Sequence, residues 1–382
     1  MILTGEFPPE GGGVADHSRL VAEGLAAAGA RVDVIAPALV ERTDAQLPPG
    51  VTLHRVAGSG GEDRFAPRAL ARIDRLLAEL PRPRRLLVQY VPHAFGFKAL
   101  NLPFALWLYR RQRREQITTL FHEVAFPWAA RPWARTNLLA ATHRAMAALV
   151  ARASERRLVA SQRWAELLGQ VAPASRYPTT WQPVPSNVAT EVDPAQVGAL
   201  RAGLREGAPP TQVLGHFGSY GRLLRPHLHA IFPRALDLAP RAHLLLVGRA
   251  GVAFRAELVE RHPRLGQRVH ALGERPSAET AAAIAACDVL IQPYEDGAGG
   301  RRGSLMAALA LSRCVVSNPG PATEPLWDEA DALAFARLGR EQAETAAALL
   351  ADAESRLGYG KRAQALYRER CALEHTLAAL RG

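Results

Sequence analysis

Residues 286–320 read ACDVLIQPYEDGAGGRRGSLMAALALSRCVVSNPG. Two short apolar runs, Val289–Gln292 and Cys314–Ser317, flank a glycine-rich loop and a run of small apolar residues, Ser304–Ala310. Strand, loop, helix and strand in about 30 residues predict a βαβ unit with parallel strands. The loop carries Glu295, Asp296, Arg301 and Arg302 among its glycines. The N–H groups of Gly303, Ser304 and Leu305 would project from the helix start, where the backbone favours anions. Two arginines add positive charge, and a carboxylate can hold hydroxyls. The pattern suits a nucleotide diphosphate carrying a polyol such as a sugar. A long solvated loop is the alternative.

The same alternation extends outward. Upstream, Val213–Phe217, His243–Val247 and Arg268–Leu272 read as strands, and His227–Ala239 and Ala278–Ala286 as helices. A first series precedes them: strand Met1–Thr4, a turn over 5–13, a helix from Val14 to Ala28 ended by Gly29, and strand Arg31–Ala36. Val51–Val56, Leu86–Gln89, Gln116–Phe121 and Leu158–Ala160 continue it as strands. Between the series, residues 173–194 hold five prolines and read as a linker. The fold class is therefore α/β, with two Rossmann-like doubly wound domains over 1–180 and 181–355. A helical tail, 356–382, is expected to pack back toward the first domain. Ligand loops at the carboxyl ends of both sheets predict a cleft between the domains.

A length of 382 residues also favours two cores over one. Hydrophobic content of 48% with 22% charged residues fits a globular chain. Cys287, Cys314 and Cys371 show no CxxC spacing, so reduced structural thiols are expected and no metal site. The start turns polar at once, and no stretch of about 18 apolar residues occurs. A cytoplasmic protein is expected. Net charge is +11, and residues 1–180 hold 24 basic against 15 acidic side chains. That half could face an anionic membrane, an acidic acceptor or nucleic acid. No nucleic-acid motif is present, so nucleic acid is not expected. Residues 98–114, KALNLPFALWLYRRQRR, place an apolar run beside five basic residues. This segment is either a peripheral membrane contact at the inner face of a membrane or a partly buried helix with a basic end.

Three other motifs carry candidate chemistry. Gly12 and Gly13 open a helix after the first strand, with Asp16 and His17 behind them. The glycines permit close backbone approach to an anion, but the spacing is not that of a dinucleotide fingerprint. His122-Glu123 follows an apolar strand, where a His can serve a sugar hydroxyl or developing charge. Gly218, Ser219, Arg222 and Arg225 follow the first strand of the second series and suit a diphosphate. A structural turn, a solvated His and a glycine-rich connection are the respective alternatives.

In their order these motifs resemble the retaining glycosyltransferases of family 4, which have the GT-B fold. GEFPPEGGGVADHSRLVAEGLAAAGARVDVIAP is similar to that family's opening strand, glycine loop and helix. TLFHEV resembles its strand ending in an active-site His, PVPSNV its interdomain segment, and HFGSYGR the start of its nucleotide-binding domain. Residues 286–320 resemble its donor signature. The family's two signature Glu residues would fall on Gly299 and Ala307, and Ser219 stands where an Arg is common. The resemblance implies a bacterial enzyme using a nucleoside diphosphate sugar as substrate, with no cofactor and no metal. It implies transfer to a glycan, lipid-linked or small-molecule hydroxyl with retention, in glycan, polysaccharide or glycolipid biosynthesis. His122, Arg222, Arg302 and Glu295 would be catalytic. Gly12, Gly13, Gly218, Ser219, Arg225, Asp296, Arg301, Gly303, Ser304 and Leu305 would bind donor. Asp16, His17 and Glu123 would lie on the acceptor side. A non-catalytic binding protein and a sugar-nucleotide epimerase are the alternatives.

Overall fold

Strand β1 (Ile2–Thr4) is completely buried, as expected where helices cover both faces of a parallel sheet. The computed structural model that places it describes residues 1–9, 11–37, 47–56, 64–131, 134–173, 177–204 and 212–381. After β1 come α1 (Gly13–Ala27), β2 (Val32–Ala36), β3 (Val51–Arg55) and α2 (Pro67–Glu79). Next are β4 (Arg85–Tyr90), α3 (Leu102–Arg111), β5 (Gln116–Phe121) and α4 (Arg135–Ala153). β6 (Arg156–Val159), α5 (Gln162–Val171) and β7 (Thr179–Trp181) complete an all-parallel sheet of order β3-β2-β1-β4-β5-β6-β7. Its two faces bury separate cores, one around Phe65, Phe95, Phe104 and Phe121 and one around Ile2, Val21 and Val34.

The second sheet repeats the plan. It follows α6 (Pro194–Gly203) with β8 (Gln212–Phe217), α7 (Arg225–Leu238), β9 (Ala242–Val247), α8 (Gly251–Arg261) and β10 (Val269–Leu272). Then come α9 (Ser277–Ala285), β11 (Val289–Gln292), α10 (Gly303–Ala310), β12 (Cys314–Ser317), α11 (Leu326–Glu329) and β13 (Ala334–Phe335). The parallel order is β10-β9-β8-β11-β12-β13. α12 (Arg340–Ala351) and α13 (Ala353–Leu366) stay with this sheet. The chain divides into Met1–Pro183 with Leu373–Gly382, and Val184–Ala372. The last helix, α14 (Leu373–Arg381), packs on α1, where a Cβ on Gly24 would lie 2.8 Å from Leu377. Gln182 Nε2 donates to Thr376 Oγ1 at 3.2 Å in the same unit.

In each sheet the strand order reverses once, between β1 and β4 and between β8 and β11. Loops leaving the carboxyl ends at such a switch point diverge and leave a crevice for ligand. The stretch 173–194 differs from the expected linker, because β7 lies inside it. It is a three-residue edge strand bracketed by Pro178 and Pro183, a place where proline costs no ladder bond. All three cysteines are buried and unpaired, and burial pushes each thiol up to about 12, which makes it inert. No helix among the described residues is long and apolar enough to cross a membrane.

Candidate functional site

The loop from Pro293 to Arg302 is a fixed ring. Buried Asn318 reads both backbone groups of Tyr294, accepting from its N–H at 2.9 Å and donating to its carbonyl at 2.8 Å. Ala298 N–H donates to Asn318 O, and Ala322 N–H to Asp296 O. These contacts require bare backbone. Gly297 has φ +95°, and a Cβ there would lie 2.5 Å from Gly320 N. At Gly299 a Cβ would lie 2.5 Å from Ala322 O. The first family Glu position therefore has no room for a side chain. The second, Ala307, is fully buried in α10. A carboxylate comes instead from Glu324, which is 2% exposed and accepts the Gly300 N–H at 3.0 Å and the Trp327 indole N–H at 2.8 Å.

The ring presents its polar groups together. Asp296 pairs with Arg301 at 2.6 Å and with Arg302. Burial opposes its charge, but the two guanidiniums prevail and hold the carboxyl below the usual range. The Arg302 guanidinium sits over the Tyr294 ring, 4.8 Å from its centroid. The Tyr294 hydroxyl bonds Ser304 Oγ at 2.9 Å, and burial pushes that phenol up to about 12. At the start of α10, Leu305 is buried and its N–H turns back to Arg302 O at 3.0 Å. The open N–H groups there are those of Gly303 and Ser304, which have no acceptor among the described residues. Glu295 is exposed.

The β8 loop meets this ring across the switch point. Gln292 Nε2 donates to Phe217 O at 3.0 Å and approaches Ser304 O at 3.4 Å. Its buried Oε1 has no partner among the described residues. His216 Nδ1–H donates to Ile291 O at 2.7 Å, and burial drops its pKa to about 4. Gly218 lies under Gly248, whose φ is +120° and where a Cβ would come within 2.3 Å of Gly218 O. Tyr220 takes a left-handed backbone (φ 53°) and buries its ring, with its hydroxyl donating to Val247 O at 3.2 Å. That anchor leaves the backbone of Gly218 and Ser219 at the rim. Arg222 is exposed without an ion pair among the described residues, whereas Arg225 pairs with Glu257 on α8.

The first unit has its own polar cluster at the carboxyl edge of its sheet. His122 Nε2–H donates to Gln89 Oε1 at 2.7 Å. The His17 ring stands edge-on to His122, with centroids 4.9 Å apart. All three side chains are buried. Desolvation holds His17 near about 4 and His122 well below the ordinary value, with His17 adding to the depression. Both are thus neutral at physiological pH, fit to exchange hydrogen bonds but not to carry a cation. Asp16 and Gly13 are exposed at the same helix start, and Gly12 lies against Glu6. Burial raises the Glu6 carboxyl. Glu123 approaches His93 at 3.5 Å.

Gln89, Gln292, Tyr294, Asn318 and Glu324 were not among the expected site residues. One signal was available. LLVQY and VLIQ each put a Gln at the carboxyl end of a strand that is otherwise apolar and buried on both faces. Those strands are the two at the switch points. Among the described residues no three His, Cys, Asp or Glu side chains converge as metal ligands.

No protein-family model matches the sequence, and no curated protein sequence matches it. Solved structures do. WaaG, a glycosyltransferase involved in lipopolysaccharide biosynthesis, is 16% identical with a TM-score of 0.66, covering 100% of each chain. HepE of Anabaena, in complex with UDP and glucose, is 18% identical with a TM-score of 0.66, covering 99% of this chain and 97% of its own. Sucrose-phosphate synthase from Thermosynechococcus elongatus is 18% identical with a TM-score of 0.74, covering 99% and 96%. At these identities the likeness is one of fold. The chain has the GT-B fold, built from two parallel-sheet Rossmann-like domains.

Proposed function

We propose that this chain is a glycosyltransferase that binds a nucleoside diphosphate sugar on its second unit and passes the sugar to an acceptor hydroxyl with retention of configuration. The observation that carries this reading is the fixed ring at the β8–β11 switch point. There Arg301 and Arg302 share Asp296, the N–H groups of Gly303 and Ser304 open the helix, and Gln292 ties Ser304 O to Phe217 O, next to Gly218 and Ser219 in the chain. HepE forms complexes with UDP and with UDP-glucose, which supports a uridine donor here.

The chemistry asks for stabilisation of negative charge on the departing diphosphate. Arg301, Arg302, the α10 N-terminus and Arg222 would supply it, with Arg225 behind them, so the proposed reaction needs no metal or cofactor. The diphosphate would displace Asp296 from the two guanidiniums, and Asp296 or Glu295 would then hold sugar hydroxyls. His122 would bond the sugar in its neutral form, accepting at Nδ1 because Nε2–H is committed to Gln89. The glycines Gly12 and Gly13 would serve the donor, and Asp16, His17 and Glu123 the acceptor, which is a glycan, lipid-linked or small-molecule hydroxyl in a biosynthetic pathway.

The test incubates the protein with uridine, guanosine and adenosine diphosphate sugars, with acceptors and with a chelator, and follows the anomeric protons by NMR. Consumption of one donor with product of the same anomeric configuration supports the reading. Donor interconversion without acceptor would mark an epimerase. Gly299 and Ala307 favour a second reading, a glycosyltransferase-like binding protein. Tight nucleotide binding with no turnover on any acceptor would support that one.

A further inference from the structure

We propose that the face of the first unit carrying Phe97, Phe126, Trp128 and Leu138 docks on an anionic lipid bilayer. These four side chains are 42%, 43%, 54% and 68% exposed, large values for apolar groups of this size. Two of the segments that carry them are held together by one buried residue. His143 on α4 donates from Nε2 to Ala99 O at 2.9 Å and accepts the Phe126 N–H at Nδ1, 3.2 Å away. The Arg144 guanidinium next to it covers the Trp128 ring at 4.5 Å and donates to Phe126 O. Asn137, adjacent to Leu138, accepts the Ala129 N–H at 2.7 Å.

The backbone under Phe97 is costly. Gly96, Phe97, Lys98 and Ala99 are four successive residues with positive φ, and three of them carry a Cβ. Such strain persists where the surroundings over-determine it and tends to mark function. Here the surroundings are Asn101, which donates to Phe95 O and Phe65 O and caps α3 at Phe104 N, together with His143. The product of this arrangement is an outward Phe97 beside an exposed Lys98.

Charge selects the occupant. Lys98, Arg131, Arg135 and Arg144 belong to the segments that carry these anchors, whereas Arg110, Arg111, Arg113 and Arg114 stand at the end of α3 beside the start of β5 and are not counted toward this face. Glu115 is buried between Arg84 and Arg111, so Glu123 is the acidic group left near the surface. Separate aromatic anchors standing among Arg and Lys match the interface of a bilayer with acidic headgroups, where rings sit at headgroup depth and each cation gains from the surface potential. Helix α3 is not the contact element. Its Phe104, Ala105 and Leu108 lie in the core, and Arg111 pairs with Asp74 while packing on Trp107. The apolar run of residues 98–114 is thus partly buried, with Leu106 and Tyr109 left exposed, and the proposed membrane contact passes to the loops beside it.

The test is flotation of the full chain with vesicles of phosphatidylcholine alone and with about one quarter phosphatidylglycerol. The expected result is retention on the anionic vesicles, lost on raising salt. The double variant Phe97→Ser with Trp128→Ser, and separately Arg131→Glu with Arg135→Glu, should lower the partition coefficient at least about tenfold while leaving the melting temperature near that of the parent. In the parent, brominated lipid should quench tryptophan emission, and the conservative Trp128→Phe should remove most of that quenching. Equal retention on neutral vesicles, no retention on anionic ones, or variants that float like the parent would overturn the proposal. None of these readouts depends on sugar transfer.

Discussion

Glu324 accepts the Gly300 N–H at 3.0 Å and so sets the backbone that aims Arg301 and Arg302. Its carboxylate reaches the loop from a segment over 20 residues downstream, in a place where a Cβ on Gly299 would come within 3.3 Å of Oε2. Replacing Glu324 by Ala strands the Gly300 N–H and the Trp327 indole N–H in a buried site. The expected loss is about 3 kcal/mol in denaturant unfolding, with weaker nucleotide binding. Glu324→Gln keeps one acceptor oxygen and should lose less than half as much. Equal losses for the two variants would deny the hydrogen-bonding role.

Restoring the glutamates that the family resemblance expects should damage the protein. Gly299→Glu drives a Cβ into the Ala322 carbonyl, and Ala307→Glu buries an unpaired carboxylate in α10. Each should cost several kcal/mol, about 3 or more, and neither should raise turnover. A stable, more active variant at either position would show that the loop can adopt the ordinary arrangement.

The strand pattern was legible because parallel strands buried on both faces need short apolar runs. Gln116–Phe121, Val289–Gln292 and Cys314–Ser317 have the same limits in sequence and structure. β7 was hidden, since three residues between prolines carry no periodicity. The site was legible where it is local, as in the loop that joins Asp296 to Arg301 and Arg302. It was illegible where packing supplies it. His17 and His122 are far apart in the chain and meet only through α1 and β5. Asn318 and Glu324 gain their roles only once β12 lies beside β11.

Acid should destabilise the fold through its buried imidazoles. His17 and His216 titrate near about 4 in the folded chain and from 6.5 unfolded. The unfolded state therefore binds more protons between those values, and stability is lost as pH falls from 6.5 toward 4. Each contributes roughly 2 kcal/mol of loss between pH 7 and pH 5. Replacing His216 by Asn, which can still donate to Ile291 O, should flatten the pH dependence of unfolding by about that amount. An unchanged slope would mean that His216 is protonated in the folded state.

Asp296 partly cancels the charge that a diphosphate would meet. Asp296→Asn leaves two uncompensated guanidiniums, so nucleoside diphosphate should bind several-fold tighter and with a steeper salt dependence. Transfer should fall if the carboxylate also holds a sugar hydroxyl. Calorimetric titration at two salt concentrations checks the first part, and weaker binding in the variant would refute it.

The claim on which the rest depends is that the second unit binds a nucleoside diphosphate through Arg302 and the α10 N-terminus. Calorimetric titration of UDP, GDP and ADP into the parent and into Arg302→Ala, all with chelator present, tests it directly. The expected result is metal-independent binding of one diphosphate, weaker binding of its monophosphate, and at least about a tenfold loss in Arg302→Ala with an unchanged unliganded melting temperature. No heat with any nucleotide at millimolar concentration, or equal affinity in Arg302→Ala, would contradict it.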